Sequence, residues 1–408
     1  MPTLNKIRTA ILGGPRVTSD ADALRPLRSA LTLFFALDGF LFAGWVVRIP
    51  AIKQQTGASE GALGLALLGV SAGAVATMTL TGRLCRRFGS HPVTVAAALL
   101  MCLGIALPPL THSALALGLV LLVFGAAYGG LNVAMNSAAV DLVAALRRPV
   151  MPSFHAAFSV GGMLGAGLGA LLAGRLSVTA HLLLLTATGL VAGAAAGRVL
   201  LAHPAPGPPR TPEPRADGRR TTTRERKLIA VFGTVALCTA YGEGALADWG
   251  ALHLRQDLAA PAGLAALGYS VFALAMTLGR LSGTALLERL GQTRLLVAGG
   301  TTAALGMLLG SLAPSLWAAL AGFAITGLGL ANIFPVAVGR AGELAGPGGV
   351  AAASTFGYGG MLLGPPAIGI LADRFSLPLA LTTVAALAAV SALVAYATRR
   401  AGTAVSAG

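Results

Sequence analysis

The chain has 408 residues, of which 55% are hydrophobic and only 11% are charged, whereas a soluble domain carries about 25% charged residues. This composition offers too few polar side chains to cover a water-soluble fold, and it also excludes a disordered chain. The net charge is +15, but the basic residues stand in short clusters between apolar runs, so nucleic-acid binding is not expected. The composition therefore predicts a protein that crosses a lipid bilayer many times.

Twelve apolar runs are long enough to cross a bilayer, which takes about 20 helical residues. In chain order, these predicted spans 1 to 12 are 29–50, 61–82, 93–112, 114–137, 152–173, 178–200, 229–252, 262–287, 293–312, 315–338, 349–371 and 377–398. They fall into two groups of six and leave no room for a separate soluble catalytic domain.

The segments between and around these groups set the predicted domains. The domains are an N-terminal tail (1–28), a six-helix bundle (29–200), a linker (201–227), a second six-helix bundle (228–398) and a C-terminal tail (399–408). The linker is rich in Pro, Arg and Thr, which is typical of a solvated connection. The polar N-terminal tail is not followed by a short apolar run with a cleavage site, so no cleaved signal peptide is expected.

Basic residues predict the orientation. If the spans alternate in direction, most of the 29 Lys and Arg residues fall on the side that holds both tails and the linker. The opposite side receives Arg48, Lys53, Arg175, Arg255 and Arg374. Because Lys and Arg are enriched in cytoplasmic loops, both termini are predicted to be cytoplasmic, in a multi-pass protein of the inner (cytoplasmic) cell membrane.

The two halves of the chain repeat each other. Phe158-Ser-Val-Gly-Gly-Met-Leu164 matches Phe356-Gly-Tyr-Gly-Gly-Met-Leu362, and the segments 169–177 and 369–376 that end these spans also match. Arg86-Arg87-Phe88-Gly89 matches Glu288-Arg289-Leu290-Gly291 in the same order. Chance similarity between Gly- and Ala-rich helices is the alternative. Three matches in register favour an all-α membrane protein whose two six-helix bundles are related by a pseudo-two-fold axis along the membrane normal.

The loop after span 2 reads Gly82-Arg-Leu-Cys-Arg-Arg-Phe-Gly89. With the two groups of six spans and the basic linker, it resembles the major facilitator superfamily over residues 29–398. The segments 131–136, 147–159 and 242–249 are similar to the branch that holds the rhizopine-transport membrane protein and its fucose-permease-like relatives. The resemblance implies a transporter in which spans 1, 4, 7 and 10 line a central cavity. It also implies that two loops govern the conformational change, through Gly82, Arg86, Arg87, Gly89, Glu288, Arg289 and Gly291.

One position departs from the family pattern. The family loop usually has an acidic residue where this chain has Arg86, while the second copy keeps an acid, Glu288. The resemblance implies that this acid latches a closed state against a neighbouring helix end. The latch of the first half is therefore in doubt, and Asp141 is a possible substitute partner for Arg86 or Arg87.

Three ionisable residues, Asp38, Glu243 and Arg280, are the firm candidates inside predicted spans, where a charge costs about 2.5–3.5 kcal/mol and therefore indicates function. Asp38 and Glu243 are the candidates for proton coupling. The alternative for Asp38 is a fixed ion pair with Arg280. The alternative for Glu243 is a structural role as a protonated, hydrogen-bonded residue. Arg280 would bind an anionic or polyhydroxy substrate, neutralise one of the two acids, or extend towards the cytoplasm.

Polar and aromatic residues of the spans supply the other candidates. The substrate-binding candidates are Trp45, Asn132, Asn136, His155, Tyr241, Arg280 and Asn332. Trp45 would stack on a sugar-like face or anchor span 1 at the membrane interface. The asparagines would bind substrate or only join helices, and His155 would titrate near neutral pH or make a structural bond. Asp248 and Trp249 are expected at a gate or interface.

Glycines dominate spans 5 and 11, for example at Gly161, Gly165 and Gly360. They permit close approach of helices, either as static packing or as a surface that slides during transport.

The leading functional hypothesis is a monomeric secondary transporter that moves a small polar solute, of sugar or cyclitol type by resemblance, in proton symport by alternating access. The sequence contains no nucleotide-binding motif and no arrangement of residues typical of an enzyme, a metal site or a cofactor site. A drug/proton antiporter is the first alternative, although the Gly-Pro pair that such exporters carry in span 5 is missing. A membrane sensor that has lost transport is the second.

Overall fold

The structure is a computed structural model that describes residues 24–146, 150–204 and 222–398. The regular elements of these residues are helices. Several sequence-based expectations concern residues outside the described ranges. These are the basic residues Lys6, Arg8, Arg16, Arg147 and Arg148, most of the linker (205–221) and the C-terminal tail 399–408.

Twelve helices, α1 to α12, overlap spans 1 to 12 in order. They are Arg25–Val46, Glu60–Phe88, Ser90–Gly104, Ala114–Leu146, Met151–Leu172, Val178–Ala202, Thr223–Gln256, Ala262–Leu281, Gly283–Leu312, Leu316–Ala345, 349–374 and Leu377–Ala397. A short helix, Ile49–Thr56, follows α1. Within the described residues, eleven candidate spans, one in each helix except α11, are long and apolar enough to cross a membrane. The chain is therefore a multi-pass membrane protein.

The chain reverses direction between α10 and α11, although residues 333–374 form one continuous helical stretch. A straight helix would place residues eight apart about 12 Å from each other. A side chain at Gly349 would nevertheless meet the carbonyl oxygen of Ala341, so the helical stretch bends back on itself between these residues. The side where α6 ends and α7 begins is called the linker side here. Glu343 accepts a hydrogen bond from Gln292 on that side (3.3 Å), whereas Asp373 reaches the opposite side of the molecule.

The helices form two lobes, α1–α6 and α7–α12, that pack in the same pattern. In the first lobe α1 packs on α5 and α2 on α4, while in the second α7 packs on α11 and α8 on α10. A side chain at Gly161 of α5 would strike the carbonyl oxygen of Ala36 in α1. A side chain at Gly360 of α11 would strike that of Leu237 in α7. The parallel repeat and the close glycine packing that the sequence indicates are thus confirmed.

The turn after α2 has an equivalent in a kink inside α9. Gly89 has φ 89° and Gly291 has φ 72°, a left-handed region that favours glycine. Gly82 lies in the last turns of α2, with Arg86 and Arg87 exposed beside it, and Glu288 and Arg289 are exposed in the second copy. Asp141 lies beside Ser90 and His91. Within the described ranges, Asp141 forms no ion pair with Arg86 or Arg87, so the latch of the first half is not engaged there. Glu288 forms no ion pair within those ranges either, so the latch of the second half is not engaged.

Two local features differ from the prediction. Helix α7 begins at Thr223, inside the predicted linker, because Thr222 and Glu225 form a capping box that starts a helix there. Arg48, predicted as a loop charge, is only 3% exposed. Its Nε donates to His181 Nδ1 at 2.7 Å, and its other nitrogens donate to the carbonyl oxygens of Ala173 and Leu172 at 3.2 and 3.3 Å. Arg48 therefore ties the end of α1 to α5 and α6.

The glycine packing gives a stability test. We expect Gly165→Ala to lower the melting temperature, because the new methyl group would strike the backbone of Phe40, and overpacking costs about 1–3 kcal/mol. Gly167→Ala, in the same helix with nothing within 4 Å of the new methyl group, is the matched control and leaves melting unchanged or higher. Thermal unfolding of both variants in detergent checks this, and equal melting temperatures would contradict it.

Candidate functional site

A cavity of about 260 Å³ lies between the two lobes. Its walls come from α1, α2, α4 and α5 of the first lobe and from α7, α8 and α11 of the second. The expectation that helix 10 lines the cavity is wrong for the part of the chain that the structure describes, since no lining residue comes from α10. The reason is that α10 packs behind α8, where the Asn332 side chain donates to the carbonyl oxygen of Gly279 at 2.8 Å.

The lining is mainly aromatic and apolar, with a few polar groups. The aromatic and methionine residues are Phe42, Trp45, Tyr128, Phe158, Tyr269, Phe272, Tyr358, Met78, Met276 and Met361. The polar and charged residues are Ser71, Asn132, Ser159, Thr277, Glu243, Asp248 and Arg280. Sparse polar groups converging in an apolar cavity are typical of a small-molecule site.

Glu243 and Arg280 form an ion pair inside this cavity. The Arg280 guanidinium donates to Glu243 Oε1 at 3.1 Å, and the side chains are 44% and 27% exposed. A second, long bond joins Arg280 Nε to the carbonyl oxygen of Ala331 at 3.4 Å. Of the roles considered for Arg280, the one found in the structure is the neutralisation of Glu243.

Asp38 lies behind the cavity wall and is fully buried. Both of its carboxylate oxygens lack a hydrogen-bond partner among the described residues, so the ion pair with Arg280 considered for it is not formed. Tyr128 lies within electrostatic reach of Asp38 and stacks on Phe42 with ring centroids 5.1 Å apart. These two rings line the cavity, whereas Asp38 is not among the lining residues. An ionised carboxylate in this position would be buried at high cost.

Other candidates from the sequence reach the cavity to different degrees. Trp45 is 2% exposed and lines the cavity, so it does not face lipid. Asn132 lines the cavity, whereas Asn136 does not and instead donates to the carbonyl oxygen of Asn132 at 2.8 Å. His155 is exposed, contacts Phe35 edge-on and lies within electrostatic reach of Arg280. His155 is not among the residues that line the cavity.

Tyr241 and Asn332 are not brought into the cavity. The Tyr241 hydroxyl is hydrogen-bonded to Thr383 Oγ1 at 2.9 Å, which joins α7 to α12. Asn332 holds α10 against α8. In this conformation both residues join helices of the second lobe.

Sequence reasoning missed part of the wall. The aromatic residues Tyr128, Tyr269 and Tyr358 carry no sequence signal, because aromatic side chains are as common in apolar helix packing as in binding sites. Asp248, expected at a gate or interface, lines the cavity with Glu243. It lies inside predicted span 7, so the cost of an intramembrane charge could have identified it.

The lobes meet on the side opposite the linker. Asp373 of α11 accepts hydrogen bonds from Ser59 Oγ and the Gly61 backbone amide, each at 2.9 Å. Gly64 of α2 lies against the carbonyl oxygen of Pro365, and Gly263 of α8 against that of Ala170. The cavity is therefore closed on this side. The exposed Arg280 side chain places its opening towards the linker side.

With this geometry described, comparison with known proteins decides the family. The sequence model of the Major Facilitator Superfamily matches residues 30–247 and 232–407. The chain belongs to the Major Facilitator Superfamily. The superfamily that the sequence motifs indicate is thereby confirmed, and the chain is a transporter of small solutes rather than an enzyme.

Two relatives and one solved structure illustrate the similarity. The chain is 34% identical to an uncharacterized MFS-type transporter of Yersinia pestis over 87% of this chain and 91% of that protein. It is 30% identical to membrane protein MosC of Rhizobium meliloti over 89% and 88% of the two chains. The crystal structure of a D-xylose-proton symporter has the same fold, with a TM-score of 0.70 and 16% identity over 91% of this chain and 97% of that chain.

The contacts of Asp373 give a conformational test. Asp373→Asn removes the charge that two donors from the other lobe bind, so we expect a larger population open on the side opposite the linker. Because Asp373 is exposed, the interaction is worth about 0.2–1 kcal/mol and the shift is about 1.4- to fivefold. The measurement is the distance between spin labels on one exposed residue of each lobe on that side.

Asp257→Asn is the matched control for this test. Asp257 is an acid near the same side, but its partner is His253 of the same lobe, at 2.8 Å. We expect no change in the distance distribution for this variant. An identical distribution for Asp373→Asn and the unmodified protein would contradict the assignment of Asp373 as a contact that closes the lobes.

Proposed function

We propose that this protein is a proton-coupled carrier that moves a small polar solute across the cytoplasmic membrane by alternating access. The observation that carries the proposal is the Glu243–Arg280 ion pair in a cavity between two lobes, which are held together at Asp373 on the side opposite the linker. A proton on Glu243 would remove the charge that holds Arg280 and would free both side chains for the solute. Protonation and solute binding would then be linked through one pair of groups.

Asp38 would be the second proton site. Because its carboxyl is buried without a partner, the neutral form suits the present conformation. Movement of the Phe42 and Tyr128 rings would open it to the cavity and allow the proton to leave. A buried acid that changes its access to water between two conformations is what coupling to a proton gradient needs.

The size of the cavity supports a solute no larger than a sugar or a cyclitol. Sites for drug-sized ligands have volumes of about 300–1,000 Å³, and this cavity is smaller, at about 260 Å³. Aromatic rings such as Trp45 would stack on the apolar face of such a ring, and Asn132 with nearby hydroxyl groups would bind its hydroxyls. The aromatic and methionine wall is the one observation that favours the alternative, a proton antiporter for amphipathic compounds.

The excess of Lys and Arg on the linker side supports a cytoplasmic position for that side. The conformation described here would then be open to the cytoplasm and closed to the outside. Alternating access would proceed by separating Asp373 from Ser59 and Gly61 while the lobes meet on the linker side, where the loop acid Glu288 would engage.

Uptake into proteoliposomes with an imposed pH gradient tests proton coupling. The solute is the one that stabilises the purified protein most in a thermal-shift screen of sugars, cyclitols and cationic drugs. A gradient of one pH unit supports about tenfold accumulation when one proton is coupled. We expect this accumulation for the unmodified protein and for Asp257→Asn, an exposed acid outside the cavity. Glu243→Gln and Asp38→Asn should exchange solute without accumulating it, because an amide cannot carry the proton.

The outcomes separate the alternatives. Full accumulation by both Glu243→Gln and Asp38→Asn would show that neither acid carries the coupled proton. Stimulated export of cationic drugs with no uptake of sugars or cyclitols would favour the antiporter. Solute binding without movement in any liposome experiment would overturn transport itself.

A further inference from the structure

A second cavity lies on the flank of the first lobe. It has a volume of about 650 Å³, is lined by α2, α3 and α4, and is called the lateral groove here. It shares no lining residue with the cavity between the lobes. Several large apolar side chains of its lining are more than half exposed, namely Leu80, Phe88, Leu100, Leu103 and Val123. Since these helices span the membrane, the lateral groove opens towards lipid and not into the path of the solute.

The lateral groove offers no free polar group to a solute. The only polar side chains among its described lining residues are Thr77 and Thr81. Thr77 donates to the carbonyl oxygen of Ala126 at 3.0 Å, and Thr81 donates to that of Thr77 at 2.9 Å. A polar solute would lose its hydrogen bonds to water here without replacement, which is costly. The lining therefore suits a hydrocarbon occupant.

The dimensions of the lateral groove suit a single hydrocarbon chain. Pro92 and Gly104 of α3 both line it, and twelve helical residues span about 18 Å. One leaflet of a bilayer contributes about half of a hydrocarbon core of about 30 Å. A helix about 10–12 Å across would occupy about 1,400–2,000 Å³ over that length, more than the groove holds. A lipid chain from one leaflet therefore fits better than a helix of another protein.

Positive charge lies at the linker-side end of the lateral groove. Phe88, the last residue of α2, lines that end, and Arg87 Cζ lies 5.1 Å from the centroid of its ring. Arg83 lies one turn before Arg87 on the same side of α2, and both arginines are exposed. Neither forms an ion pair within the described residues, and Asp141, an acid of this region, lies beside the first residues of α3 instead. An anionic group at the end of the groove would find two available guanidinium groups.

The repeat shows that this charge belongs to the first lobe. In the alignment that matches Gly89 with Gly291, the loop of the first lobe carries three basic residues and no acid, whereas the second copy carries one of each. The residues are Arg83, Arg86 and Arg87 in the first copy and Glu288 and Arg289 in the second. The arginine that replaces the usual acid of the family therefore adds to a basic surface, and such surfaces at the ends of membrane helices attract anionic lipids.

We propose that the lateral groove binds one chain of an anionic phospholipid from the leaflet on the linker side, and that Arg87 and Arg83 bind its headgroup phosphate. The chain lies along α3 between α2 and α4, and the headgroup lies beside Phe88 at the end of α2. The bound lipid thus joins three helices of the first lobe. The proposal does not depend on the identity of the solute or on proton coupling.

Competition between two lipids tests the proposal on the full-length purified protein. The protein is delipidated in detergent and mixed with equal amounts of phosphatidylglycerol and phosphatidylcholine that have identical chains. Native mass spectrometry then counts the bound molecules. We expect one retained phosphatidylglycerol, preferred about tenfold or more, since each arginine near the membrane surface contributes about fivefold. Phosphatidylglycerol should also raise the melting temperature, whereas glycerol 3-phosphate, which has no chains, should not.

Variants at the arginines test the headgroup site. Arg87→Gln and Arg83→Gln should each lower the preference for phosphatidylglycerol about fivefold. Arg294→Gln, which removes an exposed charge of α9 in the other lobe, is the matched control and should keep the preference. The melting temperature without lipid shows whether each variant is folded, and either arginine variant keeps the test valid if the other is unstable.

A variant that fills the lateral groove tests the chain site. Ala96 lines the groove and is exposed, so Ala96→Phe would occupy space that the chain needs. We expect phosphatidylglycerol retention to fall about tenfold, the equivalent of about two buried methylene groups. Ala187→Phe, at an exposed position of α6, is the matched control and should retain the lipid.

Three results would overturn the proposal. Equal retention of the two lipids by the unmodified protein, or an unchanged preference in both arginine variants, would show that these arginines do not select the headgroup. Unchanged retention in Ala96→Phe would show that the chain lies elsewhere. Dimers that Ala96→Phe dissociates would show that a second copy of the chain occupies the groove. None of these results bears on transport, so the proposed function is tested separately.

Discussion

An ion pair inside an apolar cavity is the constraint on which the rest of the site depends. Charges in this environment must be paired, hydrated or neutralised by a proton, and the three acids near the cavity meet this requirement in three ways. Glu243 is paired with Arg280, Asp38 is buried without a partner among the described residues, and Asp248 faces the cavity unpaired. These differences in environment are what would allow each acid to have a separate role.

Packing within and between the lobes explains how such a site can open. Inside each lobe, glycines bring helix backbones into direct contact, as Gly161 does against Ala36 and Gly360 against Leu237. Between the lobes, the hydrogen bonds named above gather around Asp373, on the side opposite the linker. Tight lobes that meet along two helix pairs, α2 with α11 and α5 with α8, favour movement of the lobes as rigid bodies over changes within each lobe.

Much of the fold follows from the sequence, because hydrophobic length and repeated motifs fix the helices and their order. The rotation of each helix about its axis does not follow in the same way. In a bilayer the lipid-facing and protein-facing sides of a helix are both apolar, so composition does not indicate which residues face a cavity. Polarity alone therefore predicts Asn332 and Tyr241 in the cavity. In the structure, both residues hold helices of the second lobe together.

Charged residues were more informative than apolar ones, since burying a charge requires a specific environment. Glu243 and Arg280 were found from the sequence for this reason, and the same reasoning applied to Asp248 would have placed it in the cavity. Arg48 was the exception, because its position near a helix end resembles a loop, whereas His181 and the carbonyl oxygens at the end of α5 bury it. These partners come from residues distant in sequence, which composition and periodicity do not relate.

The repeat also shows where the two lobes have diverged. When α1 is aligned with α7 so that Ala36 matches Leu237, Phe42 is the equivalent of Glu243. When α2 is aligned with α8 so that Gly89 matches Gly291, Met78 is the equivalent of Arg280. All four of these residues line the cavity, so the equivalent positions keep their place in the wall and differ in chemistry. The charged residues of the lining thus come from the second lobe, while the polar residues that the first lobe supplies, Ser71, Asn132 and Ser159, are uncharged. A solute held between the lobes would meet aromatic rings on both sides but charged groups on one side alone among the described lining residues, so the charged groups would fix its orientation.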